Sequence, residues 1–171
     1  KLEGQHSGRR TSGVPDNMST AFYSHPDCRG HDMGPGHPEC PQRLDAIEDH
    51  LQTRVRPHLT RYWDAEEFAF DLLPGLAELG LGRLVLDGSS SLFQQLVHAE
   101  IARVDLSLSA LVGIHNELNL GMIAGLGSER QKATWQGRLE SFDALGAFCL
   151  TEPDHGSDIA GGLATTATRD G

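Results

Sequence analysis

Phe-Cys-Leu-Thr-Glu-Pro-Asp-His-Gly-Ser-Asp, residues 148–158, holds the sharpest change of character in the chain. The apolar, β-prone run 145–150 breaks there into a turn rich in Pro, Asp, Gly and Ser, which predicts a strand ending at a polar corner. A corner of this kind presents backbone N–H groups and the Thr151 and Ser157 hydroxyls to whatever lies beyond it, and Gly156 lets a partner approach the backbone closely. Such an edge suits a planar, hydrogen-bonding ligand, although most polar turns after strands meet only water. Asp154 and His155 read as turn-formers with no catalytic role.

Upstream of the corner the pattern is helical. Residues 53–68 carry Val55, Leu59, Tyr62 and Trp63 at three- and four-residue intervals, and residues 71–79 carry Leu72, Leu73, Leu76 and Leu79. Gly80 closes the second helix. Serines 89–91 can cap a third, with Leu92, Leu96, Val97, Ile101 and Val104 as its stripe, and residues 105–123 are apolar on several faces, which predicts a buried helix. Ser128 begins a short amphipathic helix that Trp135 and Leu139 anchor. Together these predict a mainly α bundle followed by the first strands of an incomplete β domain.

The motif TEPDHGSD, preceded by Phe-Cys-Leu and followed by a Thr-rich strand over 163–169, resembles the flavin-binding signature of the acyl-CoA dehydrogenases. The run Glu100-Ile-Ala-Arg-Val-Asp105, the helix around Gly113, Ile114 and His115, and Gly127-Ser-Glu-Arg-Gln-Lys132 are similar to that family's helical N-terminal domain in the same order. The resemblance covers residues 53–171. It implies a helical domain over 53–143 and the start of a middle β domain over 144–171, and the family's C-terminal four-helix bundle would lie beyond. It also implies FAD as cofactor and acyl-CoA as substrate. Groups at Phe148, Leu150 and Thr151 would meet the flavin ring, Gly156 and Ser157 would lie by the cofactor, and Ser157 would also adjoin the acyl-CoA thioester. Hydrogen bonds at the flavin's polar edge stabilise the negative charge that it gains as a hydride acceptor. No residue of this chain is assigned as the base, which the family supplies from its C-terminal bundle, and a partner subunit completes the pocket in a homo-oligomer. The resemblance is strongest to the glutaryl-CoA branch, but Ser109 stands where that branch uses an arginine against a distal carboxylate. A non-carboxylated acyl chain is therefore expected. Glu100 reads as the helical ion-pair partner of Arg103.

Composition limits the alternatives. A chain of 171 residues with 14 basic and 24 acidic side chains, net charge −10, has no electrostatic footprint for nucleic acid or an anionic membrane. No apolar run approaches a spanning helix, and three cysteines without framework spacing fit a reducing compartment, so a cytoplasmic protein is expected. Residues 1–18 mix Gly, Ser, Arg and Pro without periodicity and read as a disordered leader.

Residues 19–52 carry a possible strand at 21–23, the loop His31-Asp-Met-Gly-Pro-Gly-His-Pro-Glu39, and a helix opened by Pro41 with Leu44, Ile47 and Leu51 on one face. This segment resembles the N-terminus of the zinc-dependent histone deacetylase and acetylpolyamine amidohydrolase family, which implies a chimera joined near residue 52. Cys28, His31, His37 and Cys40 could be drawn as a zinc site, but the two His-Pro steps stiffen the loop and no metal is expected. Three readings compete: a flavoenzyme fragment that is inactive alone, a zinc-dependent hydrolase fragment, or a non-enzymatic helical module.

Overall fold

Pro41 opens the first helix, where a missing N–H costs nothing and its fixed φ fits the first turn. The structure, a computed structural model, describes residues 33–34, 37–156 and 160–169. The expected leader 1–18 and strand 21–23, with Cys28, His31 and Ser157, lie outside the described residues. Helix α1 (Pro41–His50) runs through a π-helical turn, Leu51–Val55, into α2 (Arg56–Ala65). Pro57 accounts for the wide turn: it has no N–H for the carbonyl one turn back, and its ring would crowd that carbonyl in a regular helix. Because the turn absorbs the mismatch, Leu44, Ile47, Leu51, Val55 and Leu59 all remain buried on one side. The junction expected at residue 52 thus falls inside one continuous rod whose two halves share a core.

A 3-10 turn, Phe70–Leu72, leads into α3 (Leu73–Glu78), and Gly80 then reverses the chain at φ 73°, which an L side chain would resist. A second 3-10 segment, Leu81–Leu86, precedes α4 (Ser91–Val104), whose first turn is capped by Ser90 accepting from the Phe93 N–H. The buried carboxylate of Glu39 accepts in turn from the Ser90 N–H and, at 3.0 Å, from its hydroxyl, which fixes the loop before α1 to the start of α4. Asp105 caps α5 (Leu106–Ile114), accepting from the Leu108 N–H at 2.7 Å. A second π turn, His115–Leu120, continues into α6 (Gly121–Leu126). Helix α7 (Glu129–Glu140) begins with a capping box between Ser128 and Gln131.

Four expectations are corrected. In α4 the stripe is offset: Leu92 is 59% exposed, and Phe93, absent from the expected stripe, is fully buried with Val97 and Ile101. The apolar run 105–123 is not buried all round, since Leu106 is 73% exposed and Ile114 and Met122 are nearly half exposed. Trp135 does not anchor α7; it is 42% exposed under the Arg138 guanidinium, and Leu139 alone is buried there. Finally, among the described residues no strand forms over 145–150 or 163–169. A strand is held by bonds to a neighbour, and the described residues provide only an isolated bridge, Glu152 to His155.

The core gathers α1, α2, α3, α4 and α5 around Ile47, Leu76, Leu84, Phe93, Ile101 and Leu108. Asn116, in the second π turn, donates to the carbonyls of Leu81 at 2.8 Å and Val112 at 2.9 Å, so the 3-10 segment is tied to the α5 rod by a satisfied buried amide. Gly82 is needed where the same segment meets the end of α7, because a Cβ there would stand 2.2 Å from the backbone carbonyl oxygen of Glu140. Backbone cannot step aside as a side-chain end can. Gly82→Ala is expected to lower the unfolding free energy by about 1–3 kcal/mol, the usual range for overpacking, read from urea denaturation followed by helical circular dichroism.

Candidate functional site

The second π turn shapes the surface beside it. An α-helix advances about 100° per residue, so a widened turn rotates the residues after it against those before it. Ile114, Leu118 and Met122, spaced four apart, emerge as a partly exposed apolar line, while His115, Asn116 and Leu120 turn inward. Asn119 covers the loosened backbone by donating to the Ile114 carbonyl at 3.2 Å.

Residues 144–148 cross this line after α7. Phe142 makes the bend at φ 59°, buried with its ring centroid 4.7 Å from that of His115, and the Ala144 N–H donates to the Arg138 carbonyl at 3.0 Å. Gly146 then sits so close to Asn119 that a Cβ would meet its Oδ1 at 2.3 Å and its Cβ at 2.8 Å. The crossing divides the surface into two recesses. One, of about 380 Å³, is lined by Leu111, Ile114, His115, Leu118 and residues 145–148. The other, of about 320 Å³, is lined by Asn119, Met122, Ile123, Trp135, Leu139 and residues 144–148. Neither contains a charged carboxylate, lysine or arginine.

His115 ties the crossing to the bundle. Only 2% exposed, it donates its Nε2–H to the Leu139 carbonyl at 2.7 Å, while Nδ1 is buried without a hydrogen-bond partner. Burial pushes its pKa below the ordinary value, opposed by the bond to Leu139, so the imidazole is held neutral. His98, half-buried against Gly113, is pushed down by burial too, and Glu117 pulls the other way.

From the crossing onward, residues 145–151 make no hydrogen bond among the described residues. The corner after them is tied by Glu152. Its N–H donates to the His155 carbonyl at 2.9 Å and its own carbonyl accepts from the His155 N–H at 3.3 Å. Its carboxylate accepts from the N–H groups of Ala164 and Thr165, both at 2.7 Å. The Ala164 N–H, with the Thr165 hydroxyl and N–H, holds this carboxyl below the usual carboxylate range.

The expected site residues are not gathered in one cavity. Phe148, 47% exposed, lines both recesses. Leu150 is half-buried, and Thr151 and Gly156 are exposed, Gly156 with open space where a Cβ would be. None of these three lines either recess. Ser109 also lies apart, its hydroxyl donating to the His98 carbonyl at 3.2 Å. Glu100 and Arg103 pair at 3.4 Å, as helical spacing predicts. Residues given no site role in the sequence supply most of the lining: Leu111, Ile114, His115, Leu118, Met122 and Gly146. Among the described residues no group of three or more His, Cys, Asp or Glu side chains could hold a metal.

Residues 38–143 match the family described as acyl-CoA dehydrogenase, N-terminal domain. The chain belongs to the acyl-CoA dehydrogenase family. It is 36% identical over 130 residues to mitochondrial isobutyryl-CoA dehydrogenase of Dictyostelium discoideum, covering 72% of this chain and 30% of that protein. To the mitochondrial short-chain specific acyl-CoA dehydrogenase of Bos taurus it is 39% identical over 141 residues, 78% of this chain and 34% of the relative. In three dimensions it is similar to glutaryl-CoA dehydrogenase from Mycobacterium smegmatis, with TM-score 0.70 and 32% identity over 81% of this chain and 37% of that one. A second structure of a glutaryl-CoA dehydrogenase from that organism, in complex with FADH2, matches at TM-score 0.69 and 30% identity, covering 76% of this chain and 35% of that one. The chain thus spans about a third of the length of the relatives it matches. The family match begins at residue 38 and so includes α1, which lies in the segment expected to be deacetylase-like. Among the described residues no helix is long and apolar enough to cross a membrane.

Two outcomes are expected. Gly146→Ala lifts residues 144–148 from the bundle and leaves the helices intact, which Trp135 fluorescence reports as a red shift with unchanged far-ultraviolet dichroism. For the histidines the sign follows from pKa values lowered on folding: their neutral state is unperturbed well above pH 6.5, and stability falls as pH drops through 6.5, because the unfolded chain takes up protons that the folded one refuses. Urea denaturation from pH 8 to 5 should show that slope, at most about 1.4 kcal/mol per pH unit for each histidine. His115→Gln should reduce it.

Proposed function

We propose that this chain contributes the helical domain and the flavin-facing corner of an FAD-dependent acyl-CoA dehydrogenase that acts on short, non-carboxylated acyl-CoA thioesters. The observation that carries the reading is the run from the crossing to the corner: residues 145–151 make no hydrogen bond among the described residues, with Phe148 exposed above apolar recesses and the Thr151 hydroxyl beyond it. Unused donors beside an apolar surface fit a flat heterocycle with a hydrogen-bonding rim. Phe148, Leu150 and Thr151 would hold the isoalloxazine, with Gly156 and Ser157 nearby. When bound, the flavin supplies a hydride acceptor. Donors aimed at its rim stabilise the charge that develops there.

Substrate class follows from the residues that line the recesses. No lysine or arginine reaches either one, and Ser109 spends its hydroxyl on a backbone carbonyl, so nothing there offsets a second carboxylate. The isobutyryl- and short-chain relatives support the same choice. With no carboxylate among the lining residues, proton abstraction requires a group from outside the two recesses. Acyl-CoA, FAD and further copies of the chain are the partners this reading requires.

The test is a nuclear magnetic resonance titration of isotope-labelled chain. FAD added to millimolar concentration should shift the amides of Phe148, Leu150, Thr151 and Gly156, and butyryl-CoA should shift Leu111, Leu118 and Met122 at concentrations where glutaryl-CoA does not. Shifts confined to other faces of the bundle would overturn the reading.

A further inference from the structure

Glu152 lies within the TEPDHGSD motif without a role of its own there, yet it is the residue on which the corner converges. Its main chain closes the 152–155 turn through both hydrogen bonds to His155, and its side chain reaches across to residues 164 and 165. Among the described residues these are the hydrogen bonds that join 160–169 to the rest of the chain. Three pieces therefore meet at one residue: the open-donor run ending at Thr151, the Pro153-Asp154 turn, and the returning arm.

We propose that Glu152 is a positioning residue for the cofactor: by gripping the amides of Ala164 and Thr165 it fixes the direction of the preceding peptide, and so aims the Thr151 hydroxyl and N–H at the flavin rim. The inference rests on the flavin reading above and adds to it a residue that touches no ligand itself. A carboxylate suits the task because each oxygen is a pure acceptor, and one oxygen meets each amide: Oε2 takes Ala164 and Oε1 takes Thr165. A glutamine would offer one acceptor and present an NH2 to the second N–H. An aspartate would fall a methylene short. The residue lies outside the helical core, so its replacement leaves the bundle's stability unchanged.

The experiment compares the chain with Glu152→Gln and, from the other side of the contact, with Ala164→Pro, which removes one donor and keeps the carboxylate. In the parent chain the Ala164 and Thr165 amides are expected downfield, moving together in a titration whose midpoint lies below the ordinary glutamate value of 4.5. Both variants are expected to bind FAD roughly tenfold more weakly, the weight of one charge-assisted hydrogen bond. The loss should appear as smaller shifts at Leu150 and Thr151 upon FAD addition, with thermal unfolding of the helices unchanged. A residue that served only stability would move the unfolding midpoint and leave those shifts alone. Variants that bind FAD as the parent does overturn the positioning role while leaving the flavin reading intact. A parent chain whose corner amides ignore millimolar FAD overturns both.

Discussion

The bond from the His115 ring to the carbonyl of Leu139 is the constraint on which the exposed side of the molecule depends. It joins the middle of the α5–α6 rod to the end of α7 in a place where water does not reach, so the imidazole must stay neutral and must keep that one partner. With α7 anchored there, Phe142 can turn back over the same ring and the chain is delivered onto the apolar line of α5 and α6. The Ala144 N–H on the Arg138 carbonyl and the close seat of Gly146 on Asn119 then hold residues 144–148 where they cross.

The arrangement explains why the site is a surface rather than a pit. Helices α1 to α5 gather one face each into a single core. The π turn then rotates a second set of leucine, isoleucine and methionine side chains outward, where the crossing segment covers them only in part. Apolar ground is left exposed beside a strip of backbone that makes no hydrogen bond among the described residues. Both are features of a surface meant to be met by something else.

Much of this was legible in the chain, and the limits have physical causes. Pro41, Gly80, Ser90, Ser128 and Asp105 mark helix ends by local chemistry that needs no tertiary context, and they stand where such residues belong. The π turns left no periodic trace, so residues 105–123 read as a helix buried on every face when it is buried on one. His115 and Asn116, polar neighbours inside an apolar run, were the available signal of that turn. Residues 145–150 have the composition of a strand, but pairing belongs to two segments at once, and a β-prone run without a neighbour stays open. Gly146 within it marked a close approach of backbone to another element, a meaning that glycine in such runs often carries. Glu152 stood inside the quoted motif, but its task could not be read there, because its partners are main-chain groups twelve and thirteen residues away.

The π turn at His115–Leu120 has a further implication for how this rod can change. A widened turn is an extra residue stored without a loop, and removing one residue from it would restore ordinary winding. Every side chain from Gly121 onward would then swing by about 100° relative to α5. The outward Met122 and Leu126 would be carried toward a different side of the rod from Ile114, and the crossing segment would lose part of its floor through a single deletion. The rod thus works as a phase-shifter, in which the length of one turn, rather than the identity of the residues after it, decides which of them face the solvent.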